Sequence, residues 1–290
     1  MKKLLTLIMA FMLSIAACFC ITGCGGTQVT ETEDQLAALT EVKSGASDIA
    51  VIDSVMAGYY VSKENFSDLT ILTGDAFSFA SEYYAIGCRK NTNTDDYMTA
   101  ALYALQEMGT LAPIAAKYGL TDVLYDIPDT IVETLFATLP APNQVDPNSD
   151  FGKILAKGKL VLGYTLFEPI AFKDANDQLT GFDIEVAQAV CAFYDITLEN
   201  VKINWNTKED ELNGGNIDVI WNGFTYTDAR AENIDFSTYY LTNRQAIVIR
   251  KADAQKYVDY ASMKGAKFAA ESESAGETTI RNIILPEVNK

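Results

Sequence analysis

The chain has 290 residues, of which 49% are hydrophobic and 21% charged, a composition that supports folded cores. It contains no histidine, which excludes a Ser-His-Asp triad, a histidine-activated cysteine and any zinc site that needs imidazole. Its net charge of −17 leaves no basic footprint for phosphates, so no nucleic-acid partner is expected.

In chain order, Lys2 and Lys3 precede an apolar run from Leu4 to about Gly23, which reads as a secretory signal over 1–23. The run closes on Ile21-Thr22-Gly23-Cys24, which resembles the bacterial lipobox. That resemblance implies cleavage before Cys24 and lipidation of its thiol, holding the protein on the extracytoplasmic face of the cell membrane without spanning it. The competing reading is a transmembrane anchor, since the run approaches spanning length. Gly25-Gly26-Thr27 then opens a polar tether, expected over 24–34.

Stretches 49–52, 69–72 and 83–87 read as buried strands, and 94–108 has helical periodicity with Leu102, Leu105 and Met108 on one face. Four of the seven prolines fall between Pro128 and Pro147, which marks 126–150 as a linker. Within it the apolar knot 131–139 suits a short helix docked on the body. Beyond it, 159–163 is a strand and 183–192 a helix with Ile184, Ala187, Val190 and Cys191 inward. Strands at 201–205 and 217–221 flank a short helix at 208–213, and 245–250 and 267–270 are strands again. Such alternation implies α/β lobes with ligands near strand ends. Cys88 and Cys191 remain once the signal is gone, and the apolar setting of Cys191 favours buried free thiols over a disulfide. Asp174 to Gln178 faintly suggests a calcium loop, but the glycine and the closing glutamate are out of place, so a turn between strands is expected. No phosphate loop, dinucleotide fingerprint or C-x-x-C follows the signal; no cofactor and no metal is expected.

The segment GKLVLGYTLFEPIAFKDANDQLTGFDIEVAQAV at 158–190 resembles the opening of a polar amino-acid-binding protein of bacterial ABC importers. NWNTKEDELNGGNIDVIWNGFTYTDARAENIDFSTYYLTNRQAIVIRK at 204–251 resembles the rest of that lobe and the first crossover. The resemblance implies an α/β fold, the two-lobed type II solute-binding protein or Venus flytrap. The part before the linker resembles the later half of the same family: 38–61 the second-lobe segment ending in a ligand aspartate, 82–91 the return crossover, 103–120 the closing helices. The usual order is inverted, and read as a circle nothing major is missing or repeated. A circular permutant is therefore expected, with 35–88 and 250–290 as the second lobe, 89–125 and 151–249 as the first, and 126–150 joining the family's usual termini. The alternative is a fragment spanning two tandem domains.

The resemblance also assigns a site. Arg230 matches the arginine that clamps a ligand carboxylate, a task for a planar, forked cation. Thr225 matches an assisting hydroxyl residue, Gly223 a backbone contact to the ammonium, and Asp53 the second-lobe anion for that ammonium. Phe167 and Trp205 match aromatic walls, and Ser274 a hydroxyl that meets the carboxylate. Glu273 departs from the family, standing where glycine is usual. Glu271 stands at a side-chain-reading position; if it faces the pocket, a cationic or amide-bearing ligand fits better than an acidic one. The function implied is a monomeric, lipid-anchored receptor, not an enzyme, that captures a polar amino acid for an ABC permease. An enzyme on the same lobes, dehydratase-like and using Glu271 or Glu168 as acid, and an amino-acid sensor are the alternatives.

Overall fold

The computed structural model describes residues 28–290, apart from the side chain of Val132. The signal segment expected over 1–23 and the lipidation expected at Cys24 lie outside the described residues. The chain opens with β1 (Val29–Thr32), α1 (Gln35–Ser44), β2 (Ile49–Asp53), α2 (Ser54–Val61) and β3 (Leu69–Ile71). Next come β4 (Glu82–Arg89), α3 (Thr94–Glu107), α4 (Leu111–Lys117), α5 (Asp129–Phe136) and α6 (Asp150–Lys157). Then follow β5 (Lys159–Tyr164), β6 (Phe172–Lys173), β7 (Leu179–Thr180), α7 (Phe182–Phe193), β8 (Thr197–Lys202) and α8 (Lys208–Asn213). The rest is β9 (Val219–Ile220), α9 (Asp228–Ala231), β10 (Ile234–Asn243), β11 (Gln245–Arg250), β12 (Phe268–Glu271), α10 (Ala275–Thr279) and α11 (Leu285–Val288).

Ten of these strands form two sheets, ordered β1-β12-β2-β11-β3 and β10-β4-β9-β5-β8. Each sheet has three parallel strands, then an antiparallel one that arrives from the other sheet, then a last strand beyond it. The fold is thus α/β in two lobes, the arrangement of type II solute-binding proteins. Fully buried strands such as β2 lie inside because helices cover both faces of a parallel sheet. In the first lobe, α3 and α7 cover the sheet with Leu102, Leu105, Ile184, Val190 and Cys191 turned inward. Met108, expected on that face, lies just past the end of α3 and is exposed.

Three expectations need correction. The stretch 24–34 is not tether throughout: Val29–Thr32 pairs in parallel with β12, its polar side chains at the sheet's outer edge. The strand expected at 201–205 ends at Lys202, because the Asn204 side chain caps a 3-10 turn over Trp205–Thr207. The lobes also exchange earlier than expected, since β4 from Glu82 belongs to the first sheet and β11 from Gln245 to the second. The chain therefore crosses between sheets at 72–81 and at Arg244.

The proline-rich stretch is docked on α3. Tyr97 donates its hydroxyl to the Pro140 carbonyl at 2.9 Å, Tyr103 donates to Asp129 at 2.9 Å, and the Gln106 amide both donates to and accepts from the Ile127 backbone. Asp174 accepts from the backbone N–H groups of Asn176 and Gln178, so its loop is a turn between β6 and β7. Cys88 and Cys191 are free, buried thiols. Among the described residues no helix is long and apolar enough to cross a membrane, and no cluster of three or more acidic or cysteine side chains could hold a metal.

Candidate functional site

Arg230, Asp53, Thr225, Gly223, Phe167, Trp205, Ser274 and Glu271 all line one cleft between the sheets. The lining also includes Gln35, Met56, Thr165, Leu166, Asn222 and Ala275, which the sequence reading missed. Asn222 had a signal, since it adjoins Gly223 in one quoted motif. Gln35 had none, being a polar residue at the start of α1.

Asp53 ends the buried strand β2. Its backbone N–H donates to Gln35 Oε1 at 2.9 Å, and its Oδ2 accepts from Gln35 Nε2 at 2.6 Å. Its Oδ1 accepts from Gln245 Nε2 at 2.9 Å and from Asn243 Nδ2. Burial raises its pKa, and the three amides and the Arg230 charge work against that rise.

Arg230 lies on α9, which is capped by the Thr227 side chain accepting from the Arg230 N–H. Its Nη1 donates to the Thr225 carbonyl at 2.7 Å, and its Nη2 donates across the cleft to the Glu273 carbonyl at 3.1 Å. The guanidinium carbon lies 4.7 Å from the Phe224 ring centre and 6.0 Å from that of Trp205. Burial lowers its pKa, opposed by Asp53. A guanidinium has five N–H donors, so hydrogens remain for a ligand anion. Glu273 adopts φ of +61°, which explains why glycine is usual at this position. Its backbone, not its side chain, reaches Arg230.

Gly223 has φ of +58°, and a Cβ there would lie 2.7 Å from Phe167 Cε1. Only glycine lets the aromatic wall close on this backbone. Its N–H is committed to Asp183 Oδ2 at 2.6 Å, leaving the carbonyl as the group able to accept from an ammonium. Asp183 also accepts from Tyr240 at 2.8 Å, and burial pushes its carboxyl up to about 7. Asn222 donates to Thr165 Oγ1 at 2.6 Å, while its own Oδ1 is buried with no partner among the described residues.

On the second-lobe side, Ser274 caps α10 by accepting from the Glu277 N–H at 3.1 Å. Glu271 ends β12, and its carboxyl is pushed up to about 8 by burial and by the charges of Asp53 and Asp34. Behind Trp205, Lys208 donates to the Trp205 carbonyl at 3.2 Å, and burial pulls it down to about 8. The cleft thus offers a forked cation on one lobe, buried carboxyls on the other, and rings between.

Residues 160–284 match the family model of the bacterial extracellular solute-binding proteins, family 3. The chain is similar to bacterial polar amino-acid-binding proteins of ABC importers. It is 33% identical over 136 residues to the L-cystine-binding protein of Bacillus subtilis (strain 168), covering 45% of this chain and 50% of that one. The arginine-binding extracellular protein of the same organism is 30% identical over 105 residues, covering 36% of this chain and 41% of that one. Among solved structures, a polar amino acid ABC uptake transporter substrate-binding protein from Streptococcus thermophilus is 36% identical, covers 30% of this chain and 33% of that one, and has a TM-score of 0.29. The chain spans half or less of the length of these relatives, all of them named as binding proteins.

Proposed function

We propose that the protein is an extracytoplasmic substrate-binding lipoprotein, anchored through Cys24, that captures a polar amino acid for an ABC importer. The observation that carries this reading is the convergence of Arg230 and Asp53 on one cleft from opposite lobes. An α-amino acid presents a carboxylate and an ammonium at fixed separation, and these two side chains are their complements. Arg230, Thr225 and Ser274 take the carboxylate. Asp53 and the Gly223 carbonyl take the ammonium. The ligand side chain lies between Phe167 and Trp205 and points toward Glu271. Closure is selected only when both lobes contact the ligand, so neither charge suffices alone.

The order of segments along the chain is read as a circular permutation of this family, closed within one monomer. A dehydratase-like enzyme on the same lobes is the second reading, favoured by Glu271, whose carboxyl is pushed up to about 8 and so suits a general acid.

A thermal-shift screen of the twenty amino acids plus ornithine and cystine on residues 25–290 tests the function. One or a few ligands are expected to raise the melting temperature, and Arg230→Ala and Asp53→Ala each to remove that shift. Each loses a charge-assisted contact of roughly 1.5–3 kcal/mol and leaves its partner ion unmatched. No shift with any ligand, or a wild-type shift in either variant, overturns the reading; turnover of a cyclic acid favours the enzyme.

A further inference from the structure

Asp53 is held by more than its place in β2. Asn243 and Gln245, which donate to its Oδ1, flank Arg244, the single residue by which the chain passes from one sheet to the other. Each amide nitrogen carries two hydrogens. The second partner of each is Glu82 Oε2, 3.2 Å from Asn243 Nδ2 and 2.8 Å from Gln245 Nε2. Glu82 opens β4, where the other crossing enters the first sheet. One carboxylate oxygen therefore ties both crossings to Asp53.

The two amides differ on their oxygen side. Asn243 Oδ1 accepts from Ser54 Oγ at 3.1 Å. Gln245 Oε1 is buried with no partner among the described residues. Nothing on the oxygen side orients Gln245; the two carboxylates on its nitrogen side do. An unsatisfied buried acceptor is unfavourable, so the amide is held in this sense against that loss. With Asp53 as its only acceptor, one hydrogen bond would have to do this alone.

We propose that Glu82 is a positioning residue for Asp53, orienting the Asn243 and Gln245 amides onto it and linking its presentation to both inter-lobe crossings. The proposal rests on the reading of Asp53 as the ammonium ligand. Asp53 from β2 and Arg230 from α9 act on Glu82 directly. Lys208 and Glu209 from α8, Glu273, Glu277 from α10, and Arg281 line the recess that Glu82 shares. Burial and the Asp53 charge push the Glu82 carboxyl up to about 7. A bound ammonium favours the ionised form of both carboxyls, so binding expels the Glu82 proton and weakens as the pH falls below about 7.

The test is calorimetric titration of the full chain and of Glu82→Gln with L-arginine, L-glutamine and L-cystine, at about pH 5.5 and about pH 8.5. Glutamine keeps the shape but cannot ionise. At the higher pH the variant is expected to bind about tenfold more weakly than wild type, and its pH dependence to be smaller by the same factor. Equal affinities and equal pH dependence overturn the proposal. A ligand-free readout separates it from the functional reading: the side-chain amide signals of Asn243 and Gln245, followed by NMR against pH. In the wild type both are expected to shift with one common midpoint, and in Glu82→Gln the transition at that midpoint disappears, leaving only the change that Asp53 itself causes. If none of the three ligands binds the wild type, this second readout still decides: amides that shift independently, or shift equally in the variant, overturn the proposal.

Discussion

At the scale of single residues, burial pushes the carboxyls in and beside the cleft upward in pKa. Glu271 is the clearest, with its pKa pushed from the ordinary 4.5 to about 8. Between those two values the folded protein keeps a proton that the unfolded chain has released. Stability therefore falls as pH rises through that window and levels off above it. Glu271→Gln removes this linkage while keeping shape and a hydrogen-bonding end. The variant is expected to be more stable than wild type by about 2–4 kcal/mol above pH 8, with the gap closing toward pH 4.5. Asp53, Glu82 and Asp183 act in the same sense, so only the difference between the two proteins isolates Glu271. Urea denaturation at a series of pH values measures it, and parallel curves would show that Glu271 is not the buried acid described here. The same charge economy bears on specificity: a neutral Glu271 can donate to or accept from an amide, while a cationic ligand side chain draws it into the ionised form.

At the scale of elements, the strands and helices that build the site were legible where apolar runs met turn residues. Stretches 49–52, 245–250 and 208–213 lie within or coincide with β2, β11 and α8. What was not legible depended on contacts distant in sequence. Val29–Thr32 is a strand because β12 offers it a partner, not because V-T-E-T is apolar. Trp205 read as strand because it is aromatic and follows Ile203, but the Asn204 cap turns the chain first. Gln35, Asn243, Gln245 and Glu82 are ordinary polar residues in sequence, and only tertiary packing brings the three amides to the Asp53 carboxylate and Glu82 to two of them. Ser274 shows how an element and a site share one atom. Its hydroxyl oxygen caps α10, and its hydrogen remains free for a ligand carboxylate. Ser274→Ala is expected to cost about 1 kcal/mol of stability and Ser274→Gly only a few tenths, since glycine is a fair N-cap. Both should lose ligand affinity equally, because both lack the hydroxyl. Affinity that follows stability instead would assign Ser274 to the cap alone. Chemical denaturation and calorimetry on the same two variants supply both numbers.

At the scale of the whole molecule, the two sheets share one plan but differ in how the chain runs through it. In the first lobe the parallel pair β5 and β8 is joined through α7, the ordinary helical crossover between parallel strands. In the second lobe the corresponding pair is β12 and β1, with register Phe268 to Val29 through Glu271 to Thr32. A helical run, α10 through α11, follows β12 just as α7 follows β5, yet β1 precedes it in the chain by nearly the whole sequence. On the proposed reading as a permutant, the second lobe is the same unit with its strands met in a different order, and the docked proline-rich stretch makes the compensating connection ahead of β5. If so, a chain in the family's usual order is expected to fold equally well. Running 148–290, then a short Gly-Ser joint, then 28–136 restores the crossover from α11 to β1. The loop-closure term changes only slowly with length, so stability is expected to shift little. Ligand affinity should stay within about twofold, because every cleft residue keeps its place. Ultracentrifugation of the natural and reordered chains distinguishes closure within one chain from exchange between two. Both are expected to sediment as monomers; a natural chain at twice the monomer mass, with the reordered chain at once that mass, would mean that β1 pairs with the β12 of a second copy.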